Sequence, residues 1–433
     1  MGLEWRGAEL PFSARDTVLW ERAEQEIEAH RCGDVIMRVV DANGQPLRGV
    51  PVRYNQRVHA FHFGAQYPYD SETYDLLQQA GINAATLWLG WKYVEPEAGI
   101  YNWEYLDRVW HPALLHKRGL RLTAHALNWF KPGWNVLPQY LLDTPVTELP
   151  DLVYKHVGQI ARHWAPYIET FELVNEPFWT DADALALGLE DMVRICHATA
   201  VAVRDVVPDA RLEINFAEAS RKLSYRLSPL DFLEQLERAN VPYDSIGLQA
   251  FENGYSVTDP PTFYRTKTFT GILQTLQQYA KAGKSIDISA LAMPSVPPCS
   301  KPPSRFELRY GLWDETAQAR YLDAAYTLFF AHRAVEGITW WCPVDGRLSF
   351  IQGGGLLRED LSPKPSYTAL KQWMQRHTSS GQVYSDAEGR AVIRGYGGDY
   401  EITVGAGTLG RPMTHHIDPR VATEVTVVLD RNR

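Results

Sequence analysis

The sequence predicts an α/β chain built on a (β/α)8 barrel, with small β-rich elements at its two ends. Three observations carry this reading. Eight short apolar runs recur through the middle of the 433-residue chain. Longer amphipathic segments separate most of them, and the texture changes at both ends to alternating, turn-punctuated strands. Strands that alternate with helices build a parallel sheet, and eight such units over roughly 300 residues fit a closed barrel better than an open sheet. No glycine-rich fingerprint follows the first run, so a dinucleotide-binding sheet gains no support.

The elements follow in order. Residues 1–58 form an N-terminal β element. Within it, "DVIMRVVDANGQPLRGVPVRYNQR" alternates Val and Ile with Arg on both sides of an Asn-Gly pair, which reads as a hairpin. Residues 59–376 form the barrel. Its strand runs are "HAFHFGA", "INAATLWLG", "LRLTAHALNW", "IETFELVNEP", "RLEINFAE", "YDSIGLQAF", "SIDISALAM" and "GITWWCPV". Helical patterns such as "DLVYKHVGQIARHW", "LEDMVRICHATAVAVRDV", "SPLDFLEQLERAN" and "ETAQARYLDAAYTLFFAHRA" lie between them. Residues 377–433 return to strands, in "QVYSDAEGRAVIRGYGGDYEITVGAG" and "TEVTVVLD", and read as a second small β module packed with the N-terminal hairpin.

Bulk chemistry removes several function classes. The net charge of -9, with a pI near 5.8, and the lack of a Lys/Arg block argue against nucleic acid. No apolar window is long enough to span a membrane. Cys32, Cys196, Cys299 and Cys342 are scattered without metal or disulfide spacing, so they read as small buried hydrophobes. His59 and His62 flank Phe61 but have no third ligand in reach of any pattern, and no metal or cofactor is expected. The N-terminus lacks a basic-then-apolar leader, which leaves a cytoplasmic chain, or a secreted one whose signal has been removed.

A barrel places its chemistry at the C-terminal ends of its strands. The polar residues that fall there are His125, Asn128 and Trp129 after strand three, Asn175 and Glu176 after strand four, and Asn215 and Glu218 after strand five. Gln249 and Glu252 follow strand six, and Trp340, Trp341 and Asp345 follow strand eight. "FELVNEP" is the sharpest of these stretches. Pro177 ends the strand and predicts an extended backbone at Glu176. Apolar and aromatic neighbours would disfavour the charged carboxylate, which suits a general acid. A carboxylate that only caps the next helix is the alternative. Two loops bear on the same face: "IQGGGLLRED" (351–360), read as a flexible active-site loop or a plain one, and the proline-rich 294–304, read as a pocket wall.

"LVNEP" resembles the acid/base strand of clan A glycoside hydrolases. Further stretches are similar, in matching order, to glycoside hydrolase family 10, the xylanase family. "WKYVEPEAGIYNWEYLD" resembles that family's strand-two region, "TAHALNW" its strand three, "SIGLQAF" its strand six and "ITWWCPVD" its strand eight. The resemblance covers about residues 59–375. It implies a retaining β-glycosidase with a carbohydrate substrate. It also implies Glu176 as acid/base, Asn175 on the sugar 2-hydroxyl, His125 and Gln249 beside it, and Trp129 and Trp341 as sugar platforms. The family's nucleophilic Glu ends strand seven, where this chain has Ala290 within "DISALAM".

The departures shape the expectation. The family's strand-two Glu-Asn-(x)2-Lys is replaced around "TLWLGW", which puts Trp88 and Gly90 there. Phe130 and Phe251 stand where the family has His. A β-linked glycoside other than plain xylan is therefore expected. For Ala290 the favoured reading is a nucleophilic Glu replaced by Ala, an inactivated form in which bound substrate would survive. An inverting enzyme with Glu218 or Glu252 as base, and a non-catalytic carbohydrate-binding chain, are the alternatives. Asp287 lies three positions before Ala290, and strand alternation predicts that it points to the other face.

Overall fold

A computed structural model describes residues 14–67, 70–131, 134–177, 185, 187–217, 228–251, 269–296, 314–346, 351, 353–405 and 410–429. The chain divides into two compact units. One takes Met1–His62, Leu322–Arg333 and Thr368–Arg433; the other takes Phe63–Tyr321 and Ala334–Tyr367.

The larger unit carries the barrel. Its strands are β3 (His62–Tyr67), β4 (Ala84–Trp88), β5 (Arg121–His125), β6 (Ile168–Asn175), β7 (Arg211–Phe216), β8 (Ser245–Phe251), β9 (Ser285–Ala292) and β10 (Val335–Trp340). They close in the order β10-β3-β4-β5-β6-β7-β8-β9, one strand for each apolar run in the sequence. Parallel barrel strands are covered by helices outside and by one another inside, so they read as continuous apolar runs rather than alternating ones. Thus Ile168, Phe171, Leu173 and Val174 on β6, and Leu212, Ile214 and Phe216 on β7, are all buried. Closure has a steric requirement at Gly64 on β3. A Cβ there would lie 2.6 Å from Thr339 Oγ1 on β10, so any larger residue would have to displace the Thr339 side chain where the first and last strands meet.

The connecting helices begin where the sequence supplies caps. Asp70 Oδ1 accepts the Thr73 N–H at 2.9 Å to start Ser71–Gln79. Ser228 and Asp231 exchange bonds of 3.1 and 2.8 Å at the start of Pro229–Arg238. Helix Leu149–Trp164 buries Val153, Val157, Ile160 and Trp164 at helical spacing.

The smaller unit holds two sheets. One has the order β12-β1-β15, from β1 (Cys32–Val40), β12 (Arg390–Tyr396) and β15 (Thr423–Val428). The other has the order β11-β2-β13-β14, from β2 (Pro51–His59), β11 (Ser380–Tyr384), β13 (Gly398–Val404) and β14 (Arg411–Ile417). Val35, Met37, Val39, Val52, Ile393, Tyr400, Ile402 and Val404 form one buried cluster.

This arrangement corrects the expected hairpin. Both strands exist, but β1 pairs with β12 and β15, whereas β2 pairs with β11 and β13. Their link is a crossover that turns on Asp41, whose Oδ1 accepts the N–H groups of Asn43 and Gln45 at 2.8 Å each. Each strand has one apolar face, and placing them in different sheets lets both faces bury against that shared core.

Among the described residues, Cys32, Cys196 and Cys342 are free and buried, and burial pushes the Cys196 thiol up. Cys299 lies outside them. Among the described residues no group of three or more His, Cys, Asp or Glu could hold a metal ion, and no helix is long and apolar enough to cross a membrane.

Candidate active site

Glu176 follows the last residue of β6. Its N–H donates to Asn215 O on β7 at 2.8 Å, and its φ is 52°. This corrects the extended backbone expected before Pro177. The bond to the neighbouring strand outweighs the local pre-proline preference and holds a left-handed residue that costs about 1–2 kcal/mol.

The carboxylate is 12% exposed at the side chain and meets N–H donors rather than an apolar wall. Oε2 accepts from Trp129 Nε1 at 3.2 Å and from Lys131 Nζ at 3.0 Å, and Oε1 accepts from Gln249 Nε2 at 3.1 Å. Lys131 was missed in the sequence. Its only signal is a position two residues past Trp129, on the loop leaving strand three, and its ammonium lies 5.9 Å from the Trp129 ring centroid.

Gln249 also donates to Asn175 Oδ1 at 3.2 Å, so the ends of β6 and β8 share one hydrogen-bonded group. Trp129 packs against Trp134 with ring centroids 5.4 Å apart. On β5, His125 Nδ1 bonds Glu172 Oε2 at 2.5 Å, which fixes the ring. The edge of that ring meets Trp341 at 5.1 Å, and Phe251 meets Trp341 at 6.3 Å. The backbone of Trp341 is anchored by its main-chain N–H, which donates to Leu291 O at 2.8 Å. Asn128 is placed behind this group, 1% exposed, with its Nδ2 bonded to Leu173 O and Thr199 Oγ1 at 2.8 Å each. It holds the end of β5 to β6 and to helix Leu189–Arg204.

Trp88 ends β4 and packs on Tyr93 at 5.3 Å. Gly90 explains itself here: a Cβ would lie 2.9 Å from Trp88 Cη2 and 2.9 Å from Tyr93 Cδ2. The Glu95 of the strand-two stretch supports the wall. It bonds buried His156 at 2.5 Å and the Gly99 N–H at 2.7 Å, while Trp91 stacks on His156 at 3.9 Å. Burial pushes the Glu95 carboxyl up, but those hydrogen bonds outweigh it and the net direction is down.

Ala290 is 2% exposed and stands in register with Gln249. Both neighbours of β9 show the same irregularity. Against β8, Asp287 pairs with Gly247 and Ala290 with Gln249. Against β10, Ile288 pairs with Ile338 and Leu291 with Trp340. Three residues of β9 therefore span two on either side, which is a β-bulge. Paired residues of parallel strands share a face, so Asp287 and Ala290 point the same way. This corrects the expectation from simple alternation. Ser289 Oγ bonds Asn215 Oδ1 at 2.7 Å across Gly247, which places it on that face as well.

Below the mouth lies a buried acidic group. Asp287 pairs with Arg211 at 2.6 Å, and Glu172 and Glu213 are buried beside them. Burial, followed by the charges of Asp287 and Glu172, pushes the Glu213 carboxyl well up. Of the two readings of the loop after β10, flexible or plain, the described residues fit the second, because Gly353 is clasped. Gly353 O accepts Ser295 N–H at 3.1 Å, Gln318 Nε2 at 2.9 Å and Lys364 Nζ at 2.7 Å. Lys364 Nζ also bonds Ser295 Oγ at 2.8 Å and Asp345 Oδ2 at 3.2 Å. Its glycines serve close approach, since a Cβ on Gly353 would lie 2.4 Å from Ser295 Oγ. Glu218, Glu252 and most of the proline-rich wall lie outside the described residues.

The model of the family "Glycosyl hydrolase family 10" matches residues 70–373. Endo-1,4-beta-xylanase A of Phanerodontia chrysosporium is 27% identical over 219 residues, 48% of each chain. The anti-sigma-I factor RsgI6 of Acetivibrio thermocellus is 21% identical over 406 residues, 92% of this chain and 48% of that one. The chain spans about half the length of these curated relatives. Among solved structures, xylanase 10B from Thermotoga maritima superposes with a TM-score of 0.55 at 19% identity, covering 73% of this chain and 95% of that one. Penicillium canescens endo-1,4-beta-xylanase XylE gives a TM-score of 0.57 at 17% identity, with 73% and 95% covered. These likenesses carry the barrel fold, and the family match across most of the chain carries the assignment: the protein belongs to glycosyl hydrolase family 10.

Proposed function

We propose that the barrel mouth binds a β-linked glycoside in the manner of a retaining β-glycosidase, and that hydrolysis is disabled because Ala290 stands where the nucleophilic carboxylate belongs. The observation that carries this is the placement of Gln249. It bonds Glu176 at 3.1 Å while standing in register with Ala290, so the acid/base candidate and position 290 flank one residue of β8. A retaining mechanism needs two carboxyl groups about 5–5.5 Å apart, one to protonate the leaving oxygen and one to attack the anomeric carbon. Glu176 takes the first role. Asn175, His125 and Gln249 face the sugar hydroxyls, with Trp88, Trp129 and Trp341 as apolar surfaces under the rings. Trp88 beside Gly90 replaces the charged strand-two residues of a xylanase, which favours a ligand other than plain xylan.

Ala290→Glu tests the proposal. The Glu form is expected to hydrolyse at least one member of a panel of β-glycosides with retention. The Ala form is expected to bind the same glycoside without turnover, and azide or formate should partly rescue it on activated substrates. No turnover by the Glu form across the panel would sink the retaining reading. Unaided turnover by the Ala form with inverted product would replace it with an inverting one.

A further inference from the structure

Among the described residues, Trp134 is the one tryptophan left exposed, with 49% of it in contact with solvent. A lone exposed apolar side chain is ordinary on a protein surface. This one is held in place from both sides. Val136, two residues on, is 1% exposed, and its C=O accepts the Lys92 N–H at 2.8 Å. Between them, Asn135 Oδ1 accepts Lys92 Nζ at 2.7 Å, and Asn135 takes a φ of 52°. Left-handed backbone is uncommon outside glycine and is tolerated best by residues such as Asn. Here it turns the chain between a side chain that enters the core and one that stays outside.

The exposed indole adjoins the candidate site. Its ring centroid lies 5.4 Å from that of Trp129, with 45° between the planes. Trp129 in turn donates its Nε1–H to Glu176 Oε2 at 3.2 Å. Glu176, Trp129 and Trp134 thus form a continuous run from the buried carboxylate to solvent. A protein or lipid partner would call for a contiguous apolar patch. The groups that flank this run are instead the Lys131 ammonium, 5.9 Å from the Trp129 ring centroid, and the Lys92–Asn135 pair. Aromatic faces among polar side chains match a sugar chain, whose rings present C–H faces to the indoles and hydroxyls to the donors around them. Consecutive rings of such a chain are turned relative to one another, and the tilt between the two indoles offers each ring its own plane.

We propose that Trp134 is a second sugar platform, one ring beyond Trp129, and that the mouth takes a β-linked oligosaccharide held on at least two consecutive rings. This rests on the reading of the mouth as a glycoside site, and deepens it by naming the length of the ligand. Trp134 touches no reacting atom. It sets the preference for a chain over a single-ring glycoside.

Calorimetric titration of the full-length chain tests this, with Ala290 in place. The probes are methyl β-glycosides of xylose, glucose and mannose and the β-linked oligosaccharides of each sugar, two to four rings long. In at least one series the unmodified chain should bind the oligosaccharides more tightly than the methyl glycoside. Trp134→Ala should remove about 2–10-fold of that gain, the scale of one aromatic contact, and leave affinity for the methyl glycoside within about twofold. Trp134→Phe keeps an aromatic face and should retain most of the gain. Trp129→Ala should weaken every ligand of the series. Equal loss on the methyl glycoside and the oligosaccharides in Trp134→Ala would mean that Trp134 only props Trp129, and would overturn the inference. Unchanged affinity at every length would overturn it as well. Failure of the unmodified chain to bind any probe would instead bring down the glycoside reading of the mouth, and the inference with it.

Discussion

Asp287 and Ala290 stand three residues apart on β9 and face the same side, because a bulge inserts one extra residue between them. The bulge brings the Asp287 carboxylate onto the face that Ala290 occupies. It does not make Asp287 a substitute for a carboxylate at position 290, because that carboxylate is paired with Arg211 at 2.6 Å below the mouth.

Asp287→Asn should therefore act on stability and not on ligand binding. It leaves the largely buried guanidinium of Arg211 with Glu336 at 3.3 Å and the buried Glu213 as acidic neighbours, without its closest carboxylate. The expected loss is about 3 kcal/mol, the low end for breaking a buried pair. Urea unfolding measures it, and glycoside affinity should be unchanged. A large drop in affinity with no drop in stability would show that Asp287 serves the ligand.

Glu213 gives a pH dependence of known sign. Its ordinary unfolded value is about 4.3, and in the folded chain burial and the charges of Asp287 and Glu172 hold the proton to higher pH. Above the unfolded value the native state binds more protons than the unfolded one, so this contribution to stability falls as pH rises. Glu213→Gln keeps the shape and removes the titration. The Tm of the variant relative to the unmodified chain should climb between about pH 4 and pH 8. A flat difference across that range would contradict the assignment.

Lys364→Met tests the clasp on the loop after β10. The ammonium is buried, and burial pushes its pKa down against the opposing pull of Asp345. Its removal leaves Ser295 Oγ, Gly353 O and Asp345 short of a shared donor. The expected cost is about 3–5 kcal/mol in denaturant unfolding. Proteolysis between residues 351 and 360 should become faster. Unchanged stability would mean that the loop is held by its other bonds alone.

Gly90→Ala addresses the aromatic wall. The added Cβ must displace both Trp88 and Tyr93, since each ring would lie 2.9 Å from it. If Trp88 forms a sugar platform, affinity should fall by roughly 0.5–1.5 kcal/mol, the scale of one aromatic contact. Calorimetric titration against the bound glycoside reads this directly. An unaltered affinity would place the sugar elsewhere in the mouth.

The barrel was legible because its strands are buried on both sides and its helices carry their own caps, so Ile214, Phe216 and the Ser228–Asp231 box speak locally. The polar strand ends that meet at Gln249 were legible for the same reason: "FELVNEP" and "SIGLQAF" break from apolar to polar where the strands stop. What failed depended on partners distant in sequence. The alternation in β1 and β2 identifies strands but not their neighbours, which lie beyond residue 380. The backbone of Glu176 is set by Asn215 on another strand, against the local influence of Pro177. The bulge in β9 breaks the parity rule without any Gly or Pro to announce it. Lys131 looks like a surface cation until the fold carries it to Glu176.

The two-sheet unit takes β1 and β2 from one side of the barrel sequence and β11–β15 from the other. On the ribosome, β1 must therefore wait for β12, its antiparallel neighbour, through the synthesis of some 350 intervening residues. At 5–20 residues per second that delay is roughly 20–70 s. Through that interval β1 and β2 present unpaired edges and an uncovered apolar face, while most of the barrel sequence has already emerged. Nascent chains of this protein are thus most exposed to strand-mediated misassembly at β1 and β2, and truncations that remove β12 and β13 should aggregate through these two strands rather than through the barrel.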